Sequence, residues 1–212
     1  MNCCQCQGIE RLFNQQETAK KLKQYRRKGP DKTTRLLIEA LKAQDVAGMT
    51  LLDIGGGIGA IQHGLLKAGV TSATSIEASS AYLEAAQAEA ERQGHAACIT
   101  HYHGNFVDLA ANISPADIVT LDRVICCYHD MPGLVTLSSM RAARLYGLVY
   151  PRDVWWVRLG LSLMNFLLRL RRNPFRVFVH SPEAVESIIQ ANGLQRCFYR
   201  TAGVWQVVVY TR

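Results

Sequence analysis

The chain has 212 residues, 49% of them apolar and without a low-complexity tract, which suits one compact domain, taken as 1–212. Much of its formal charge of +7 lies in Lys20 to Lys28 and Arg169 to Arg176, where Tyr25 and Phe175 are the only aromatic residues. They do not make the interleaved stacking series that single-strand readers require, so no nucleic-acid partner is expected. Seven cysteines, partly in adjacent pairs, argue against a disulfide framework. No apolar run follows the first residues, so no secretory leader is expected and the location is read as cytoplasmic.

Residues Ile9 to Lys28 read as one basic amphipathic helix, broken by Gly29-Pro30. Asp31 then caps a second helix, Lys32 to Ala43. From Met49 the pattern becomes strand, turn and helix in repetition. Strands are expected at Thr50 to Ile54, Ala73 to Glu77, Ala97 to His103, Asp117 to Val124 and Leu145 to Tyr150. Helices are expected from Ile58 to Ala68, from a Ser79 or Ser80 cap to Gly94, and after Pro132. Such alternation implies a parallel sheet with helices on both faces. Ser181-Pro182 start a last helix that ends at Gly193, and strands at Arg196 to Ala202 and Val204 to Tyr210 are spaced as an antiparallel hairpin. The fold class is therefore α/β, Rossmann-like, with a C-terminal antiparallel hairpin strand.

The segment Leu51 to Gly59 (LLDIGGGIG) places glycines at alternate positions directly after a strand, where the chain turns sharply and a ligand touches backbone. Gly55, Gly57 and Ala60 also fit the dinucleotide fingerprint, so the glycines alone leave a nicotinamide cofactor open. Asp53 separates the two readings. A carboxylate before the turn would oppose a pyrophosphate but favour the sulfonium and ammonium groups of S-adenosylmethionine. Glu77, with Ala78 beside it, ends the second strand and is placed to accept ribose hydroxyls from either cofactor.

Asp-x-Gly-x-Gly-x-Gly at Asp53 to Gly59, followed by Glu77 and the closing hairpin, resembles class I S-adenosylmethionine-dependent methyltransferases. The resemblance implies that Asp53, Gly55 and Gly57 surround the methionine part of the donor. It implies that Asn105 and Phe106 hold adenine, although the family more often has Asp where Asn105 stands. Asp122 then faces the transferred methyl group. Residues Asp122 to Asp130 should line the acceptor pocket, with Tyr128 and His129 as general base or orienting pair. DIVTLDRVICCYHDM somewhat resembles the magnesium-protoporphyrin O-methyltransferase group. The expected activity is methyl transfer to a small, apolar acceptor, with residues 1–45 as a helical cover over the donor.

Two features stand outside that pattern. Within residues 152–179, read as an inserted apolar helix and lid, Trp155 to Arg172 has one narrow polar stripe (Arg158, Ser162, Asn165, Arg169, Arg172) on an otherwise apolar surface. It is too short to span a bilayer, and suits a lid, an interfacial membrane contact, a dimer face or a buried helix. Cys3, Cys4 and Cys6, with Cys126 and Cys127, suggest soft-metal or metalloid (arsenite-type) chemistry or thiol binding. Their spacing matches no zinc pattern, so no metal site is assigned. A non-catalytic donor-binding partner subunit is a further alternative.

Overall fold

The computed structural model describes residues 4–212, with side chains from Gln7 onward. Two helices stand before Gly29 where one was expected: α1 (Cys4–Leu12) and α2 (Gln15–Lys28). They part because Asn14 caps α2, its Oδ1 accepting from the N–H groups of Gln16 at 3.0 Å and Glu17 at 3.2 Å. Gly29, at φ +74°, ends α2. Asp31 stands at the cap of α3 (Lys32–Lys42) without capping it by its side chain. Its carboxylate instead accepts from Lys21, Gln24 and Arg123.

Seven strands follow: β1 (Thr50–Ile54), β2 (Ser72–Glu77), β3 (Ile99–His103), β4 (Ala116–Asp122), β5 (Ala142–Pro151), β6 (Gln195–Ala202) and β7 (Trp205–Thr211). They form one sheet in the order β3-β2-β1-β4-β5-β7-β6. The first five are parallel, and β7 runs antiparallel to both β5 and β6. This is the Rossmann-like sheet with a closing hairpin that the sequence implied. β5 begins earlier than expected, because a register shift between Ala116 and Ile118 hides its first pair, Ala116 with Ala142.

Connecting helices are α4 (Ala60–Leu66), α5 (Ser80–Gln93), the single turn α6 (Phe106–Leu109), α7 (Met131–Ser139), α8 (Trp155–Leu170) and α9 (Pro182–Ala191). Ser79 caps α5 and Ser181 caps α9, with Pro182 in the first turn. The sheet separates two cores by strict alternation. Leu52, Val119, Leu148 and Val208 face α7 and α9, whereas Leu51, Ile118, Val149 and Val209 face α3 and α4. Strand order reverses between β1 and β4, which opens a crevice at their carboxyl ends. Among the described residues, no helix is long and apolar enough to cross a membrane.

α2 is fastened to α5 through Glu89, whose side chain is fully buried. Arg26 of α2 donates to it at 2.9 Å, and Arg92 and Gln93 donate from its own helix. Burial pushes the Glu89 carboxyl up, but these three donors overcome it and hold it at about 2. A depressed carboxyl stabilises the fold above its unfolded value and ceases to as pH falls through its folded one. We therefore expect Glu89→Ala to lower the unfolding free energy at neutral pH by about 2 kcal/mol. Denaturant titrations should show that deficit vanish as pH falls from about 4.5 towards 2; a pH-independent deficit would refute the assignment.

Candidate functional site

The carboxyl end of β1 is built around one buried acid. In the sheet register Asp53 lies beside Ser75 of β2 and Thr120 of β4. Its Oδ1 accepts from the Thr120 hydroxyl at 2.7 Å and its Oδ2 from the Gln62 amide at 3.1 Å; the same amide donates to Ser75 Oγ at 2.8 Å. Burial, only partly offset by those donors and reinforced by Asp122 and Glu77 nearby, pushes the Asp53 carboxyl up to about 7. The glycine turn passes directly above. A Cβ at Gly56 would stand 2.4 Å from Gln62 Nε2 and 2.9 Å from Asp53 Oδ2. Gly56, Gln62, Ser75 and Thr120 were not singled out from sequence. The polar Ser75 and Thr120 in otherwise apolar strands were the available signal.

Gly55 is left-handed at φ +67°, and a Cβ there would strike Val124. At Gly57, φ +54°, a Cβ would meet nothing within 4 Å, so this turn of backbone faces open space. The Gly57 N–H donates to Glu77 Oε2 at 2.8 Å, and the Ser79 N–H donates to Oε1 at 2.9 Å. A carboxylate has about four acceptor positions, so both oxygens keep capacity for further donors. Burial raises the Glu77 carboxyl despite these bonds.

Asn105 caps α6 through Oδ1 and donates from Nδ2 to the Tyr128 hydroxyl at 3.1 Å. Phe106 touches the cavity, but its ring belongs to the core and one face is taken by the Arg141 guanidinium at 5.7 Å. Asp122 accepts from Thr34 of α3 and from Arg123, which also reaches Asp31 at 2.9 Å. These contacts join α2, α3 and β4 at the crevice edge. Burial would lower Arg123, yet Asp122 and Asp31 beside it raise its pKa further.

These groups surround one cavity of about 500 Å³, a volume suited to a cofactor-sized ligand. Asp53, Gly55, Gly57, Glu77, Ala78, Asn105, Phe106, Asp122 and Tyr128 all line it. His129 does not line it; its ring lies against that of Tyr128 at 5.1 Å between centroids. The floor carries the carboxylates; the roof is apolar where α1 and α8 form it, and polar where Lys21, Gln24 and Tyr25 of α2 line it. Leu12 of α1, Leu161 and Met164 of α8, and Phe13 and Phe175 contribute to that roof. Phe13 packs between Tyr82 and Phe175. Cys126 and Cys127 lie on the wall, with Sγ atoms 3.8 Å apart. Cys3 lies outside the described residues, as do the Cys4 and Cys6 side chains. Among the described residues no group of three potential metal ligands converges.

Residues 12–120 match the family model of the methyltransferase small domain. A ribosomal protein L11 methyltransferase from Edwardsiella ictaluri is 30% identical over 123 residues, which is 55% of this chain and 42% of that protein. The chain thus spans under half the length of that curated relative. The magnesium protoporphyrin IX methyltransferase of Synechocystis PCC 6803, solved with bound SAH, superposes with a TM-score of 0.71 at 18% identity, covering 98% of this chain and 99% of that one. A sarcosine dimethylglycine methyltransferase from Galdieria sulphuraria, so described provisionally, gives 0.65 at 14% identity over 84% of each chain. The expected methyltransferase fold is present.

The buried acid carries a pH signature of its own. The Asp53 carboxyl sits at about 7 when folded, against about 3.9 unfolded. Folding therefore takes up a proton between those values, and stability drains away as pH rises through that window. Urea titrations at pH 5 and pH 8 should show Asp53→Asn gaining on the wild type at the higher pH, by on the order of 2–4 kcal/mol. Parallel pH dependence of the two proteins would contradict the assignment.

Proposed function

The chain belongs to the methyltransferase small domain family, and we propose that it transfers a methyl group from S-adenosylmethionine to a small, largely apolar acceptor. The single observation that carries this reading is the pair of buried carboxylates, Asp53 and Glu77, on the floor of the cavity beside the open backbone of Gly57. They suit a donor that carries positive charge and no phosphate, so the nicotinamide alternative is set aside. When bound, the donor supplies an activated methyl whose carbon–sulfur bond breaks as the bond to the acceptor forms.

Asp53, poised to titrate near neutrality, becomes an anion when a cationic group lies above the turn. Glu77 uses its remaining acceptor positions for ribose hydroxyls. Asn105 retains one amide hydrogen beyond the bond to Tyr128, which we assign to adenine, with Ala78 and the edge of Phe106 beside it. Asp122 closes the crevice next to the methyl group. Tyr128 is the residue placed to orient the acceptor or take its proton, because its hydroxyl is fixed on the cavity wall; His129 supports its ring. Transfer itself depends mainly on alignment of the acceptor with the methyl group, which the cavity walls would provide.

The roof favours an apolar small molecule over a nucleic acid, and the length-wise match to the magnesium protoporphyrin enzyme makes a tetrapyrrole carboxylate the first acceptor to try. Free thiols at Cys98, Cys126 and Cys197 fit a reducing, cytoplasmic setting. The adjacent Cys126 and Cys127 thiols support a second reading, in which a soft metalloid is bound on the wall and methylated.

Calorimetric titration with S-adenosylhomocysteine should give saturable binding, weakened at least about ten-fold by Glu77→Ala through loss of two charge-assisted bonds. Binding of a nicotinamide dinucleotide instead would overturn the reading. Tyr128→Phe should leave that affinity intact and lower methyl transfer by about 10²-fold. Arsenite-dependent donor consumption abolished by Cys126→Ser/Cys127→Ser would establish the second reading; consumption unaffected by that variant would remove it.

A further inference from the structure

α8 presents three faces at 100° per residue. Val157, Leu161 and Met164 turn towards the body of the protein; Val157 is buried, and the other two line the cavity. Next comes the polar stripe. In it Asn165 fastens the helix to Val177 by two bonds, 2.7 and 2.9 Å, and Arg158 pairs with Asp153. The third face carries Trp155, Leu159, Leu163, Phe166 and Leu170, exposed by 57% to 75%. Isolated apolar residues on a surface are ordinary, but a contiguous row along a whole helix marks a contact surface.

Charge identifies what covers it. From Val154 to Pro182 the chain has five arginines and no acidic residue. Arg169, Arg171 and Arg172 crowd the carboxyl end of α8, are exposed, and make no ion pair among the described residues. A two-fold dimer through this face would set those arginines against their own copies, or leave them unanswered. A negatively charged partner with an apolar layer answers both features. We propose that α8 is an interfacial helix that docks on an anionic lipid surface, its outer row immersed and its arginines among the headgroups. At 16 residues it lies in the plane and does not span. Since its inner face roofs the cavity, docking sets that roof against the apolar phase from which a lipophilic acceptor would enter. That consequence rests on the methyltransferase reading; the docking itself does not.

The test is co-sedimentation of the full chain with phosphatidylcholine vesicles, with and without phosphatidylglycerol. We expect tight binding only to the anionic vesicles, with a preference of about 10²-fold from three arginines near the surface, largely lost in high salt. Leu163→Glu/Phe166→Glu should abolish binding, and Arg169→Gln/Arg171→Gln/Arg172→Gln should abolish the anionic preference. Both variants alter exposed positions outside the cavity lining, so thermal unfolding and S-adenosylhomocysteine affinity should match the wild type. A loss of vesicle binding with donor affinity intact therefore speaks to docking alone. Absent or lipid-independent sedimentation would overturn the proposal. So would a solution dimer that Phe166→Glu dissociates, because a second copy would then be the occupant.

Discussion

The carboxyl end of the sheet depends on the satisfaction of one buried carboxylate. Asp53 sits in the middle of three adjacent strands, where water does not reach and an unpaired charge would cost several kcal/mol. Thr120, one strand away, supplies one donor. The other comes from Gln62, one turn into the helix after the glycine turn, and its amide also holds Ser75 on the opposite strand. Strand, turn and helix are thereby tied at one point. The turn must pass so close above this point that Gly56 leaves no room for a side chain. The glycine run is thus as much a consequence of the buried acid as of any ligand. An amide at position 53 would relieve the electrostatic cost, and a cation placed above the turn would repay it.

A second polar centre fixes the crevice edge. Arg123 adopts a left-handed conformation, φ +63°, directly after β4, a strain of order 1 kcal/mol for a residue with a Cβ. Its guanidinium nevertheless answers Asp122 beside it and Asp31 at the start of α3, and approaches the Trp205 ring at 6.0 Å. One strained residue thus joins the helical cover, the central strand and the closing hairpin. Asp31 serves this bridge instead of its own helix cap.

Legibility in the sequence followed the range of the interaction. Leu51 to Gly59 announced a strand, a sharp turn and a helix because each rests on neighbours in the chain. Ser79, Ser181-Pro182 and the hairpin at Gly203 were legible for the same reason. Asn14 was missed because helix-compatible residues flank it on both sides, Arg11 to Phe13 before and Gln15 to Glu17 after. The Asp53 partners were missed because Ser75 and Thr120 reach it only through strand register, and Gln62 only through the packing of α4 behind the turn. Phe106 read as a ligand-facing ring, but its position beside Arg141 is set by contacts 35 residues away. His129 stands outside the lining although Tyr128 before it is inside, a difference that adjacency in sequence does not reveal.

The distribution of polarity around the cavity also assigns unequal roles to the two covering helices. α2 is held to α5 by Arg26 on the fully buried Glu89, a bond whose release would strand a charge away from water. α1 is held differently. Its Glu10 accepts from the exposed Ser80, at 3.1 and 3.0 Å, and Phe13 O accepts from the Ser79 hydroxyl, after the helix has ended. Water replaces the exposed Glu10–Ser80 bonds at little cost, whereas the Ser79 hydroxyl is buried. The remaining hold on α1 is a half-exposed contact of Glu10 with His103 at 3.5 Å and apolar packing, chiefly Gly8 against the Phe175 backbone and the Phe13 ring between Tyr82 and Phe175. α1, which brings Leu12 to the roof, is thus held mainly by apolar contact, whereas α2 is held by a buried ion pair.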